Sequence, residues 1–365
     1  MNTGSPTVRV MSAEEIAARA GGGDVPFLRL AERGTVFAER AMRLRQLAFG
    51  HPMHDFLLFI ANLANAQQAR LAAMPAGTRP PVGALGAAAR AGLPPLPATD
   101  LPRDAAWRDC ARALATAVAA DAPAGLAPTL TRVATADDGW LEQQADCLLT
   151  NVMQGLDLAA SPIIAAALQV WFTDRVIATQ AHHGHLRAGG FTLPFGRTAD
   201  LTCCPCCGSR PTAGITRLEA AVQGQRYLAC SLCSTQWHLV RIQCSHCLST
   251  QGISYESLQP QDIADDDGRA TKAAVQAEVC GRCGHYLKLV HMERDPNVDP
   301  LADDLARGPW ALRVAEGGGR RRGTTLMRLL GDRGGKPPLD PGGPGNGGDP
   351  GAPDDRGVPD DPGGG

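Results

Sequence analysis

Read for where apolar side chains recur, the chain divides into a long helical stretch, a shorter stranded stretch and a tail with no apolar pattern. Phe37, Met42, Leu44 and Leu47 recur at helical spacing beside Arg40, Arg43 and Arg45, which predicts an amphipathic helix that Gly50-His51-Pro52 breaks. A second helix is predicted over about 53–74, with Phe56, Leu57, Phe59, Ile60 and Leu63 inward. Residues 75–102 are rich in proline, glycine and alanine and read as a connector. Helical text resumes at about 103–120 and 140–153. A last long helix should open with Ser161 as N-cap and Pro162 in the first turn, run to about His183, and give way at Gly189-Gly190. The text then turns strand-like at 225–228, 236–242 and 286–290. Asp299-Pro300 opens one more helix, with Asp303 and Asp304 in its first turn beside the positive end of the dipole. At the front, 1–25 carry one short helical pattern, 13–20, ended by Gly21-Gly22-Gly23, and are expected to be mobile. From Gly331 glycine, proline and aspartate leave nothing to bury, which predicts disorder.

The stranded stretch carries the chemistry. Four Cys-x-x-Cys pairs fall inside it: Cys204/Cys207, Cys230/Cys233, Cys244/Cys247 and Cys280/Cys283. A pair at this spacing lets one tight turn aim two thiolates at one metal ion, and two pairs complete a tetrahedral site, so four pairs predict two sites. Gly208 and Gly284 follow the second cysteine of their pairs, where the turn needs a positive φ. Pairing in sequence order, first with second and third with fourth, gives ribbon-length loops; interleaved pairing stays open. Cys203 and Cys206 offer a rival register in the first knuckle, but Pro205 and Gly208 favour Cys204 and Cys207. His238, His246 and His285 lie nearby, yet eight cysteines already fill two tetrahedra. His182, His183 and His185 read as a polar helix end, Trp237 and Tyr227 as packing over the modules, and Cys110 and Cys147 as small buried apolar residues. Arg210, Arg226, Arg241, Arg282 and Lys288 could offset thiolate charge or stand as solvated cations.

The expected fold class is α plus small β: an all-α N-terminal domain followed by two zinc-ribbon-like metal modules. The expected boundaries are 26–190 for the helical domain, 201–240 and 241–295 for the modules, and 296–330 for a C-terminal helical segment. The segments 1–25 and 331–365 lie outside them.

Composition narrows the function. Thirty-five Lys and Arg against 37 Asp and Glu leave a formal charge of −2, with no general attraction for nucleic acid. No apolar run reaches membrane-spanning length and no basic-then-apolar leader opens the chain, so neither insertion nor export is expected. Regular Cys-x-x-Cys pairs without a leader point to reduced thiols in the cytoplasm. No phosphate loop, Ser/His/Asp arrangement or evident nucleophile is present, so no enzyme is expected. The residues are compatible with a homo-oligomer.

Several stretches resemble a known family. Tyr227-Leu228-Ala229-Cys230-Ser231-Leu232-Cys233-Ser234-Thr235-Gln236-Trp237-His238, Cys204-Pro205-Cys206-Cys207-Gly208-Ser209-Arg210-Pro211 and the run 295–306 resemble the FdhE family of formate dehydrogenase accessory proteins. So do 26–30, 44–52 and 167–171, and the likeness covers about 26–330 in order. It departs at Thr324-Thr325-Leu326-Met327, where the family has an Asn-Pro-Phe-Leu-like stretch, at Cys203 and Cys206, and in the tail. The resemblance implies rubredoxin-like modules that bind iron. It also implies a cytoplasmic partner of the catalytic subunit of a respiratory formate dehydrogenase, assisting that enzyme's maturation. The bare residues accept zinc or iron alike and lean to zinc; the resemblance tilts the expectation to iron. A rubredoxin-like redox protein and a zinc-ribbon nucleic-acid or protein binder are the competing classes.

Overall fold

In chain order the elements are β1 (Leu28–Arg29), α1 (Val36–Ala48), α2 (His54–Ala72), α3 (Val82–Ala91), α4 (Ala105–Val118), α5 (Ala127–Thr135), α6 (Asp138–Thr150), α7 (Ser161–His183), β2 (Arg187–Ala188), β3 (Phe191–Thr192), β4 (Pro211–Arg217), β5 (Gln225–Cys230), β6 (Gln236–His238), β7 (Ile253–Ser257), β8 (Val275–Cys280), β9 (His285–His291), α8 (Pro300–Ala306) and β10 (Arg320–Arg321). They are seen in a computed structural model that describes residues 25–308, except 76, 78, 189–190, 193, 219–223 and 258–272, together with 320–321. The expectations for 1–24, for the helix at 13–20, for Gly189-Gly190, for Thr324 to Met327 and for the tail from Gly331 lie outside the described residues. No described helix is long and apolar enough to cross a membrane.

The helices pack around α7. It is buried almost all round: Ile164 and Leu168 on one face and Ala166 and Val170 on the opposite face all lie inside. Two flanking helices start as their caps dictate: the Asp104 side chain accepts from Ala106 N–H and Asp137 from Trp140 N–H. Ser161 does not cap α7, contrary to expectation. It is already helical and donates to the Leu158 carbonyl, while Asp157 one turn earlier accepts from the amides of Ala159 and Ala160. The connector is also not featureless. Pro81 leads into α3, an alanine-rich helix that Gly92 ends in the left-handed conformation at φ 64°.

On α1, Phe37 and Leu44 are inward as expected but Met42 is half exposed, and two of the arginines beside them are buried. They are buried where α8 and the segment leading into it bring them carboxylates. Arg43 pairs with Asp303 (2.7 Å) and Asp295 (2.8 Å), and Arg40 meets Asp299 (3.3 Å). Asp299 caps α8 as read from the sequence, accepting from Leu301 and Ala302 N–H. Asp303 returns a bond from Asp299 N–H, and Asp304 is buried against Lys288 and Arg321, so both do more than complement a dipole.

Of the ten described strands, β2 and β3 pair only with each other, and the other eight form one sheet in the order β1-β6-β5-β4-β9-β8-β7, with β10 also on β9. Within it β4-β5-β6 and β7-β8-β9 are each antiparallel, and the two join through a parallel β4–β9 pairing, Ala213 to Lys288 through Thr216 to His291. The largest apolar cluster runs without a break from the helices into residues of the first cysteine knuckles.

Candidate metal centre

The second and fourth Cys-x-x-Cys pairs sit where β5 and β8 run into a tight turn, and the first and third lie in turns ahead of β4 and β7. In the first knuckle Cys204 N–H donates to the Ser209 carbonyl and Gly208 N–H returns to the Cys204 carbonyl, both at 2.8 Å. The third repeats it, with Cys244 to Ser249 at 2.8 Å and Leu248 back to Cys244 at 3.0 Å, and in the fourth Gly284 bonds Cys280 at 2.8 Å. These bonds close the loop so that both sulfurs of a pair leave on one side.

The turns bring the thiols into two quartets, Cys204/Cys207/Cys230/Cys233 and Cys244/Cys247/Cys280/Cys283, in each of which all sulfurs lie within 4.8 Å of one another. The pairs therefore meet in sequence order, not interleaved. Cross-pair Sγ separations are 3.6 and 3.5 Å in the first quartet and 3.7 and 3.8 Å in the second. A tetrahedral site with metal–sulfur bonds of about 2.3 Å has edges of about 3.8 Å. Both quartets fit that figure, so each could hold one metal ion.

Their surroundings differ. All four cysteines of the first quartet are buried; in the second, Cys247 is exposed and Cys283 half-buried. The first is held from outside by the helical half. Leu96 and Ala98 donate backbone N–H groups to the carbonyls of Cys206 and Cys207, and Gln169 of α7 donates to the Ser231 carbonyl while accepting from Gln67 of α2. Ser209 and Thr235 place hydroxyls 3.3 and 3.2 Å from Cys207 and Cys233 Sγ. In the second quartet, Cys244 Sγ accepts from the amides of His246 and Cys247.

Burial pushes the thiols of Cys204, Cys230 and Cys233 well above the ordinary cysteine range. Burial opposes ionisation of Cys207 as well, but hydrogen bonds from the other three thiols and Ser209 hold it well below. In the second quartet burial pushes Cys283 up to about 12, whereas Cys280 is brought down by the amides of Cys283 and Arg282 against a burial effect. A divalent cation would displace the remaining protons and neutralise charge that this interior otherwise penalises.

The other candidates fall elsewhere. Cys203 and Cys206 belong to neither quartet, although Cys206 is fully buried. His238 bonds Gln225 at 2.9 Å, and His246 and His285 stack at 3.7 Å; none of the three joins a quartet. His183 is buried and its imidazole is held low by desolvation and by His182. Trp237 and Tyr227 are buried, donating to the carbonyls of Leu201 and Pro26. Arg226 and Lys288 are committed to Glu278 and Asp304, Arg241 lies 3.9 Å from Glu293, and Arg210 and Arg282 are exposed. Sequence reasoning missed Gln169, Leu96 and Ala98. Nothing local marks them, because they act through distant backbone.

Three family models match the chain: "FdhE, N-terminal" over 25–186, "FdhE, central domain" over 203–241 and "FdhE, C-terminal domain" over 242–328. A "Protein FdhE homolog" of Pseudomonas aeruginosa is 38% identical over 80% of this chain and 89% of its own length. Homologues of the same name from Cronobacter sakazakii and Pseudomonas putida are 33% and 35% identical over 77% and 83% of this chain, and 84% and 90% of their own. The crystal structure of the FdhE protein from Pseudomonas aeruginosa superposes with a TM-score of 0.71 at 37% identity, over 84% of this chain and all of that one.

Proposed function

The chain belongs to the FdhE family, and we propose that it is an accessory factor for the maturation of a respiratory formate dehydrogenase. It binds that enzyme's catalytic subunit in the cytoplasm and turns over no substrate itself. We further propose that Cys204, Cys207, Cys230 and Cys233 ligate one metal ion and Cys244, Cys247, Cys280 and Cys283 a second. Iron is favoured over zinc on the rubredoxin-like resemblance. The domain boundaries expected from the sequence belong to the same proposal, with 26–190 as the part that grips the client and 201–240 and 241–295 as the metal modules.

The observation that carries this reading is the pair of thiol quartets at tetrahedral spacing in a chain of this family. The experiment is co-purification from cells making formate dehydrogenase, with metal analysis of the same sample. Cys230→Ser and Cys244→Ser should each lose one metal and abolish support of formate dehydrogenase activity. Full support from a metal-free double variant would reject the reading. A second reading, electron transfer, is favoured by the exposure of Cys247 at the second quartet. It requires reversible visible bands and a physiological electron donor.

A further inference from the structure

A cleft of about 480 Å³ lies between α1, the β1-β6-β5-β4 part of the sheet and the segment that leads into α8. Arg29, Arg40 and Arg217 all line it, and one end reaches Cys230 and Ser234. Its walls at 29–32 and 296–301 overlap two of the stretches that carry the family resemblance.

Arg40 and Arg217 are not fully used by the fold. Arg40 is 5% exposed; its Nε meets Asp299 at 3.3 Å and its guanidinium stacks on Phe37, but Nη1 is buried with no hydrogen-bond partner. Arg217 donates through Nε to Gln236 and makes no ion pair with a described residue. Burial, and then the repulsion of Arg29, lowers its pKa from the ordinary value. Arg29 lies over the Tyr227 ring at 5.3 Å. Of the acids lining the cleft, Asp299 is engaged by the α8 amides. Glu32 and Glu39 are exposed at the rim and make no ion pair within 4.0 Å with a described residue, although Glu39 and Asp299 act on Arg217 at longer range. An anion inside would therefore meet guanidinium groups short of acceptors, in a space of small-molecule size.

We infer that this cleft binds a small oxyanion-bearing molecule, its phosphate or carboxylate group held by Arg40 and Arg217. The alternative role for the arginines, offsetting thiolate charge, fits Arg217 poorly. Its backbone pairs with Gln225, at the far end of β5 from Cys230.

The test is titration calorimetry on the full-length, metal-loaded protein with pyrophosphate and, separately, citrate, at constant ionic strength. Saturable binding of either probe is expected, weakened about tenfold by Arg217→Gln as a charge-assisted contact is lost. Glu39→Gln, a change at an exposed rim position, should tighten binding, and it carries the test if the Arg217 variant does not fold. Metal content should stay constant in both variants, and the readout does not depend on any client enzyme. Absence of saturable binding for both probes, unchanged affinity in both variants, or loss of metal from folded Arg217→Gln would overturn the proposal.

Discussion

One backbone position recurs four times. The residue after the second cysteine of each pair has a positive φ: 77° at Gly208, 57° at Ser234, 58° at Leu248 and 70° at Gly284. Only the two glycines are legible as such in the sequence; serine and leucine hide the same geometry, and there the knuckle imposes it on residues that disfavour it. Gly284→Ala should cost about 1 kcal/mol from conformation alone, since open space surrounds its added Cβ. Gly208→Ala should cost more, because its Cβ would come 3.2 Å from Pro94 Cγ. The ordering of urea midpoints of the metal-loaded variants checks this. Buried charge is the other residue-level theme. Arg226 is enclosed, bonding Glu278 at 2.7 Å and the carbonyls of Val240 and Gln243, so it ties β5 to β8. Burial already pushes the Glu278 carboxyl up. Arg226→Met strands that carboxylate and should cost about 3–5 kcal/mol, whereas adding Glu278→Leu should recover much of the loss. A double-mutant cycle in denaturant measures the coupling, and additive losses would contradict it.

Among elements, what was legible was what is local. The helices of 36–48, 54–72, 105–118 and 161–183 follow from apolar spacing and from breakers such as Gly50-His51-Pro52, and the knuckles from cysteine spacing. The parallel β4–β9 pairing was not legible, since seventy-odd residues separate its strands and no local pattern specifies a long-range register. Nor was α3, because alanine and glycine carry little amphipathic signal. The asymmetry of the quartets was hidden for the same reason: equal motifs end in unequal burial, set by whether helices cover them. It has a kinetic consequence. Covered by α7 and by the strand-like contact of Leu96 and Ala98, the first quartet can release a metal only by a larger opening than the second needs. A chromophoric chelator should extract metal in two phases, the fast one absent in Cys247→Ser and the slow one absent in Cys230→Ser. Equal rates at both sites would show that coverage does not control access.

At the scale of the whole molecule, the helical half and the first module share one interior. Leu228, Cys230, Leu232, Cys233 and Trp237 belong to the same apolar cluster as Leu44, Ile60, Leu114 and Phe172. The Gln67–Gln169–Ser231 relay and the Leu96 and Ala98 amides cross the same boundary with hydrogen bonds that need the knuckle in place. Four-thiolate sites contribute on the order of 10 kcal/mol to folding where little other core exists. Part of that free energy must therefore appear as stability of helices that touch no metal. Removing metal under reducing conditions should lower the helical melting midpoint seen by far-ultraviolet circular dichroism. Cys230→Ser should lower it in the same way, and Cys247→Ser, whose quartet lies outside that cluster, should lower it much less. Helices that melt unchanged after the first metal is gone would mean that the shared core holds without its sulfur corner, and that the helical half is an independent folding unit.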